Sequence, residues 1–195
     1  VRRTANGVYM RVANGPEQHF DQVVFACHSD QALAMLTDPS QEEADILRAL
    51  PYQDNEVVLH TDVRMLPRNR KTWSSWNYLL SGQSQRAVLT YNMNILQGID
   101  APETFCVTLN NSEAINPHKV LGRFNYAHPQ FTLAGMDAQE RWSDINGVNN
   151  SWFCGAYWRN GFHEDGVWSA HRVAKAIGNQ ASDSVQLQQR VGSAA

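Results

Sequence analysis

Gly155-Ala156-Tyr157-Trp158-Arg159-Asn160-Gly161-Phe162-His163-Glu164-Asp165-Gly166-Val167-Trp168-Ser169-Ala170 is the densest stretch of the chain. The apolar run Ser151-Trp152-Phe153-Cys154 leads into it and reads as a buried strand ending at Gly155. A glycine-punctuated loop follows, and a helix starts near Asp165-Gly166. Helix N-termini offer unpaired N–H groups and positive dipole charge, which suit a phosphate or an electron-rich ring oxygen. Glycines let backbone come close to a ligand, and the small residues Ser169, Ala170 and Ala174 let such a helix pack tightly. A plain strand–loop–helix with an acidic N-cap accounts for the same residues, so the pattern alone leaves both readings open. The helix is expected to end at Ile177, closed by Gly178-Asn179, with a frayed polar tail from Gln180 to Ala195.

Working outward, Val8-Tyr9-Met10-Arg11-Val12 alternates and Ala13-Asn14-Gly15-Pro16 supplies a turn. Residues 19–27 follow as one strand, giving a hairpin. Asp21 opens this second strand, whose apolar run Val23 to Ala26 suits a position covered on both faces. Gln31 to Leu36 reads as a short helix capped by Ser29 or Asp30. Ser40-Gln41-Glu42-Glu43 fits a capping box for a helix that Pro51 stops. Strands are expected over residues 55–62, 105–109 and 119–126. A further pair, 73–80 with 86–92, is joined by Ser81-Gly82-Gln83-Ser84. These strands lie close together without long helices between them, which predicts a mainly antiparallel sheet within an α+β fold. Ala134 to Ile145 has helical spacing.

With 195 residues, 43% hydrophobic and 18% charged, the chain can bury a proper core. Its net charge of -3 gives no nucleic-acid footprint and no basic membrane-binding face. No apolar run reaches the ~20 residues of a membrane span, and residues 1–20 lack the apolar core of a secretory signal. Cys27, Cys106 and Cys154 have no metal-ligand spacing and read as structural free thiols in a reducing, cytoplasmic setting. The sequons at Asn110-Asn111-Ser112 and Asn149-Asn150-Ser151 carry little weight without a signal. The start at Val1-Arg2-Arg3-Thr4, close to strand-like sequence, gives the expectation of a fragment entered in mid-protein.

Gly155 through Ala174 resembles the closing flavin motif of flavin-containing amine oxidases and phytoene-desaturase-like enzymes. Asp21-Gln22-Val23-Val24-Phe25-Ala26-Cys27-His28 resembles their second cofactor-facing strand. A bacterial group described as NAD/FAD-binding proteins is closer still, through several further segments. They are His28-Ser29-Asp30-Gln31-Ala32-Leu33, His60-Thr61-Asp62, Ser75-Trp76-Asn77-Tyr78, Tyr126-Ala127-His128-Pro129 and Phe153-Cys154-Gly155-Ala156-Tyr157. The segments run in order from residue 8 to residue 178. The resemblance implies FAD as cofactor, contacted by Gly155, Trp158, Phe162, Glu164, Asp165, Gly166 and Val167.

The resemblance further implies a FAD-binding domain split into residues 1–38 and 148–195, around a substrate domain at 39–147. Two departures qualify it. Ala156 stands where the family carries an acidic residue on the ribityl chain, and no Gly-x-Gly-x-x-Gly follows a strand. In the family that phosphate loop lies upstream of what corresponds to Val1. The expected partner is therefore a missing N-terminal dinucleotide-binding half, without which the chain holds FAD weakly or not at all and is inactive. A homodimer through the surface that half would cover is also expected.

Trp73, Trp76, Tyr78, Tyr91 and Met93 form an aromatic and sulfur-rich set. Core packing explains it, and so does an apolar substrate pocket, for which Trp76, Tyr78 and Tyr91 are the candidates. The set favours a lipid substrate over an amine. His60 and Asp62 share a strand face, which suits a substrate-facing polar pair but is read as solvated, and His163-Glu164-Asp165 has no metal-ligand geometry. No catalytic base is identified. The competing expectation is a non-catalytic ligand-binding or interaction module descended from a flavoprotein.

Overall fold

A computed structural model describes residues 1–80 and 88–192, with side chains in the last helix described as far as Ser182. Along the chain lie β1 (Arg2–Thr4), β2 (Gly7–Arg11), β3 (Glu17–Phe20), β4 (Val23–Phe25), α1 (Ser29–Met35) and α2 (Gln41–Ala49). Then come β5 (Tyr52–His60), β6 (Trp76–Leu79), β7 (Val88–Asn92), α3 (Met93–Gln97), β8 (Cys106–Leu109) and β9 (Val120–Pro129). The chain closes with α4 (Leu133–Glu140), α5 (Trp142–Ile145), β10 (Ser151–Phe153) and α6 (His163–Gly192). The fold class is α+β, with a mainly antiparallel five-stranded sheet. No helix among the described residues is long and apolar enough to cross a membrane.

Two compact units arise. Val1–Tyr52 and Pro129–Ala195 form one, and Gln53–His128 forms the other. These packing boundaries differ from the sequence divisions at 38/39 and 147/148. The reason is that α2, α4 and α5 put Leu47, Leu50 and Trp142 into the same core as Phe25, Phe153 and Tyr157.

In the first unit β1, β2 and β3 make an antiparallel meander, while β4 pairs in parallel with β10, Phe25 opposite Phe153. The expected single strand over 19–27 is thus two strands in two sheets, broken between Phe20 and Val23. Covering on both faces does not hold either, because Val24 is exposed. The Phe25 and Phe153 rings stack at 5.1 Å beneath the helices.

The Ser40 capping box is present, Glu43 N–H donating to Ser40 Oγ at 3.1 Å and Ser40 N–H to Glu43 Oε2 at 2.8 Å. Glu43 also receives both Arg3 guanidinium nitrogens, so a helix cap doubles as the partner of a buried cation. The cap of α1 is His28 rather than Ser29 or Asp30. Ser29 is fully buried and gives its hydroxyl to Leu50 O instead. The helix expected over 134–145 divides at Arg141 into α4 and α5. The last helix continues past Gly178-Asn179, with Ser182 Oγ donating back to Gly178 O at 2.9 Å. Gly178 therefore sits inside α6 and does not close it.

The second unit is the five-stranded sheet, ordered β6-β7-β8-β5-β9. Register places Trp76, Tyr91, Val107 and Leu59 in one row, and Tyr78, Leu89, Leu109 and Val57 in the next row on that face. The opposite face carries Asn77, Thr90, Thr108 and Val58, then Asn92, Cys106 and His60. Half-solvated antiparallel sheets normally turn apolar side chains inward and polar ones outward. Here Thr90, Thr108, Asn92 and His60 are buried together with Val58 and Cys106, while the other face buries Val57 and Leu89 but exposes Trp76 and Tyr78. The turn expected at Ser81 to Ser84 and the strand start at Arg86 lie outside the described residues.

Candidate functional site

The first unit builds its site at the end of β10. Gly155 has no room for a side chain, since a Cβ would stand 2.4 Å from Tyr157 Cε1. Its N–H donates to Ser169 Oγ at 3.1 Å, which ties the strand end to the first turns of α6. A short 3-10 turn over Ala156–Trp158 follows, and Gly161 N–H closes onto Ala156 O. Gln139 of α4 straps this loop down, its Nε2 donating to Tyr157 O and Arg159 O at 2.8 Å each. Sequence reading missed Gln139, because nothing local marks a side chain that reaches the loop from a separate helix.

At the start of α6, Asp165 accepts from Phe162 N–H at 3.0 Å and lies 3.7 Å from Arg159. Among the described residues, the N–H groups of His163 and Glu164 have no acceptor. Phe162, Glu164 and Val167 are exposed around them, and Gly166 is half-buried. Trp158 lies elsewhere. It is buried in the core, its indole N–H given to Phe153 O at 2.9 Å. Tyr157 is buried beside it, and burial pushes its hydroxyl pKa well above the usual tyrosine value. That hydroxyl has no partner among the described residues and borders a small hollow lined by Leu50, Phe131 and Gln139.

One of these features fits the electron-rich edge of a flavin ring, the two free N–H donors at the start of a long helix, whereas the space at Gly155 is filled by the Tyr157 ring. Ala156 offers no carboxylate for a ribityl chain. Gly155, Phe162, Glu164, Asp165, Gly166 and Val167 are gathered in one place, whereas Trp158 supports them from beneath.

In the second unit Trp76 and Tyr91 meet edge to face at 6.0 Å, with Tyr78 exposed on the same face. Sequence reading passed over Phe124 and Tyr126 of β9, whose rings stack at 5.8 Å. On the other face His60 Nδ1 accepts from Asp62 N–H at 3.0 Å, which leaves the proton on Nε2, 2.7 Å from Thr108 Oγ1. Thr108 in turn meets Thr90 at 2.8 Å. His60 and Asp62 are fully buried, so the expectation of a solvated strand face is overturned. Both sit among their own hydrogen-bond partners. Burial lowers the His60 pKa, and bonds from Arg64 and from Asn116 N–H hold the Asp62 carboxyl well below the usual range.

Burial also raises all three thiols, Cys106 to about 11, which keeps them protonated and unreactive. No group of His, Cys, Asp or Glu among the described residues is arranged to hold a metal.

No protein-family model matches the chain, and a search of curated protein sequences finds no match. Among solved structures it resembles the CLA-producing fatty acid isomerase from P. acnes, with a TM-score of 0.60 and 12% sequence identity. The match covers 89% of this chain and 45% of that one. At that identity the likeness is one of fold alone, and the chain spans less than half the length of that structure.

Proposed function

We propose that this chain is the ring-contacting, C-terminal part of an FAD-dependent oxidoreductase of the flavin-containing amine oxidase and phytoene-desaturase-like kind, acting on an apolar lipid. The observation that carries the reading is the pair of free N–H groups at the start of α6 beside a strand-ending glycine with no room for a side chain. The lipid half draws support from the exposed aromatic face of the sheet and from the fatty acid named for the structural neighbour.

When bound, FAD supplies the hydride acceptor for a C–H bond of the substrate. The chain's own residues supply placement and electrostatics. His163 and Glu164 N–H groups donate to the ring's electron-rich edge, and the helix dipole adds positive potential there. Arg159 offsets the Asp165 charge next to them. Phe162 and Val167 exclude water from the ring edge, while Trp76, Tyr78 and Tyr91 hold the apolar substrate. In this reading residues 1–38 and 148–195 belong to the FAD-binding domain and 39–147 to the substrate domain. An upstream half supplies the pyrophosphate loop and covers the exposed Val24 side of β4. Without that half, two copies of the chain pair through the same surface. The reading includes a cytoplasmic setting, which three free thiols suit.

The test is to express the longer protein that carries this chain and record its visible spectrum. Flavin absorption bands are expected. Their absence after reconstitution with FAD sinks the proposal.

A further inference from the structure

The aromatic face of the second unit extends beyond the three residues given to the substrate. Glu56 lies on the His60 face, and Ser112 and Arg123 both bond to its carboxylate, at 2.6 and 3.1 Å. Arg123 therefore points to that face, and its alternating neighbours Gly122, Phe124 and Tyr126 point to the opposite one, with Val57 and Leu59. Asn55, two residues before Val57, contacts His128, two residues after Tyr126, which agrees. The result is one surface with exposed aromatic rings on both edge strands and half-buried Leu59, Val107 and Leu109 between them. From β6 to β9 it spans about 19 Å, four interstrand spacings. Phe124 lies flat because Gly122 leaves room, since a Cβ there would stand 2.9 Å from Phe124 Cζ.

The end of the sheet that carries Trp76, Leu59 and Val107 is basic. Strand polarity brings the connections 61–75 and 93–105 and the start of β9 to the same end of the sheet. Arg68, Arg70, Lys71 and Lys119 are exposed there and make no ion pair among the described residues, against the carboxylates Asp100 and Glu103. Arg70 is instead held over the Trp73 ring at 5.3 Å.

We infer that this surface binds a single free fatty acid, its carboxylate at the Arg68–Lys71 end and its chain over Leu59 and Val107, with the Phe124–Tyr126 pair selecting which chains fit. This rests on the lipid reading above and names the substrate class and the residues that discriminate it. Apolar area alone would accept any greasy partner. The basic end supplies the charge complementarity that singles out an acid.

The test uses cis-parinarate, a fluorescent fatty acid, and its methyl ester, titrated into the 195-residue chain without flavin. Saturable binding at one site per chain is expected. Phe124→Ala weakens it about tenfold, and Gly122→Ala, which displaces the ring without removing it, weakens it by a similar factor. The double variant Arg70→Glu with Lys71→Glu weakens the acid about fivefold and leaves the ester unchanged. All four positions are outside the buried core, so melting temperatures should match the parent. If a variant fails to fold, Trp76→Ser on the opposite edge takes its place. Non-saturable binding, or acid and ester responding alike to every variant, overturns the inference. Acyl binding with no flavin in the longer protein sinks only the oxidoreductase reading, and flavin without acyl binding sinks only this one.

Discussion

The two units hold their candidate residues by different physics. In the first, Gly155, Tyr157 and Trp158 are fixed by shape: Phe25 stacks on Phe153, and Tyr52 meets Tyr157 edge-on at 6.3 Å. Its main buried charge, Arg3, is matched by Glu43. In the second, the buried face is a chain of hydrogen bonds from Asp62 through His60 and Thr108 to Thr90, while the rings lie outside. Shape-fixed sites fail when volume changes, and bond-fixed sites fail when protonation changes. The contrast gives each unit its own way to break.

The largest effect belongs to Gly155→Ala. The added Cβ meets a Tyr157 ring that is only 1% exposed and has nowhere to go. A loss of roughly 3 kcal/mol in unfolding free energy is expected, measured by denaturant titration. Tyr157→Leu in the same chain should recover part of it. Unchanged stability for Gly155→Ala would mean that packing does not fix this loop.

Acidification is the matching challenge to the second unit. The folded state lowers the His60 pKa, so below about pH 6.5 the unfolded chain takes up a proton that the folded one refuses. Stability therefore falls as pH drops through that value, by at most about 1.4 kcal/mol per pH unit. Asp62, held ionised by Arg64 and Asn116 N–H, adds a second loss below about pH 4, where the unfolded carboxylate protonates. His60→Gln should flatten the first slope and leave the second. Stability that stays level from pH 7 to 5 in the parent chain would break the comparison.

The same contrast explains what could be read from sequence. Local signals carried the Ser40–Glu43 capping box, the strand before Gly155 and the antiparallel sheet, because caps, periodicity and glycines act over a few residues. The strand–loop–helix layout from Ser151 into α6 was legible for the same reason. Long-range pairings were not. Arg3 finds Glu43 40 residues away, and Gln139 reaches a loop about 18 residues on. The buried polar row of the sheet was hidden too. His60 and Asp62 were read as solvated because polar residues on a strand normally face water, and only Thr108 and Asn116 in space explain their burial.

The smallest effect concerns a segment that belongs to neither regime. Val173 of α6 is in the core, yet Gly178 has no heavy atom within 4 Å of where a Cβ would be. At Gly178 itself nothing packs against the position, so intrinsic propensity decides there. Glycine inside a helix costs about 1 kcal/mol relative to alanine, but as a closing residue it is favoured. Gly178→Ala should therefore raise helical circular dichroism and slow amide exchange over residues 178–182, gaining up to about 1 kcal/mol locally. If Gly178 instead closed the helix, as the sequence pattern implied, the same change would strain a left-handed cap and lower the signal. The sign of one substitution thus decides where shape-fixed structure ends in this chain.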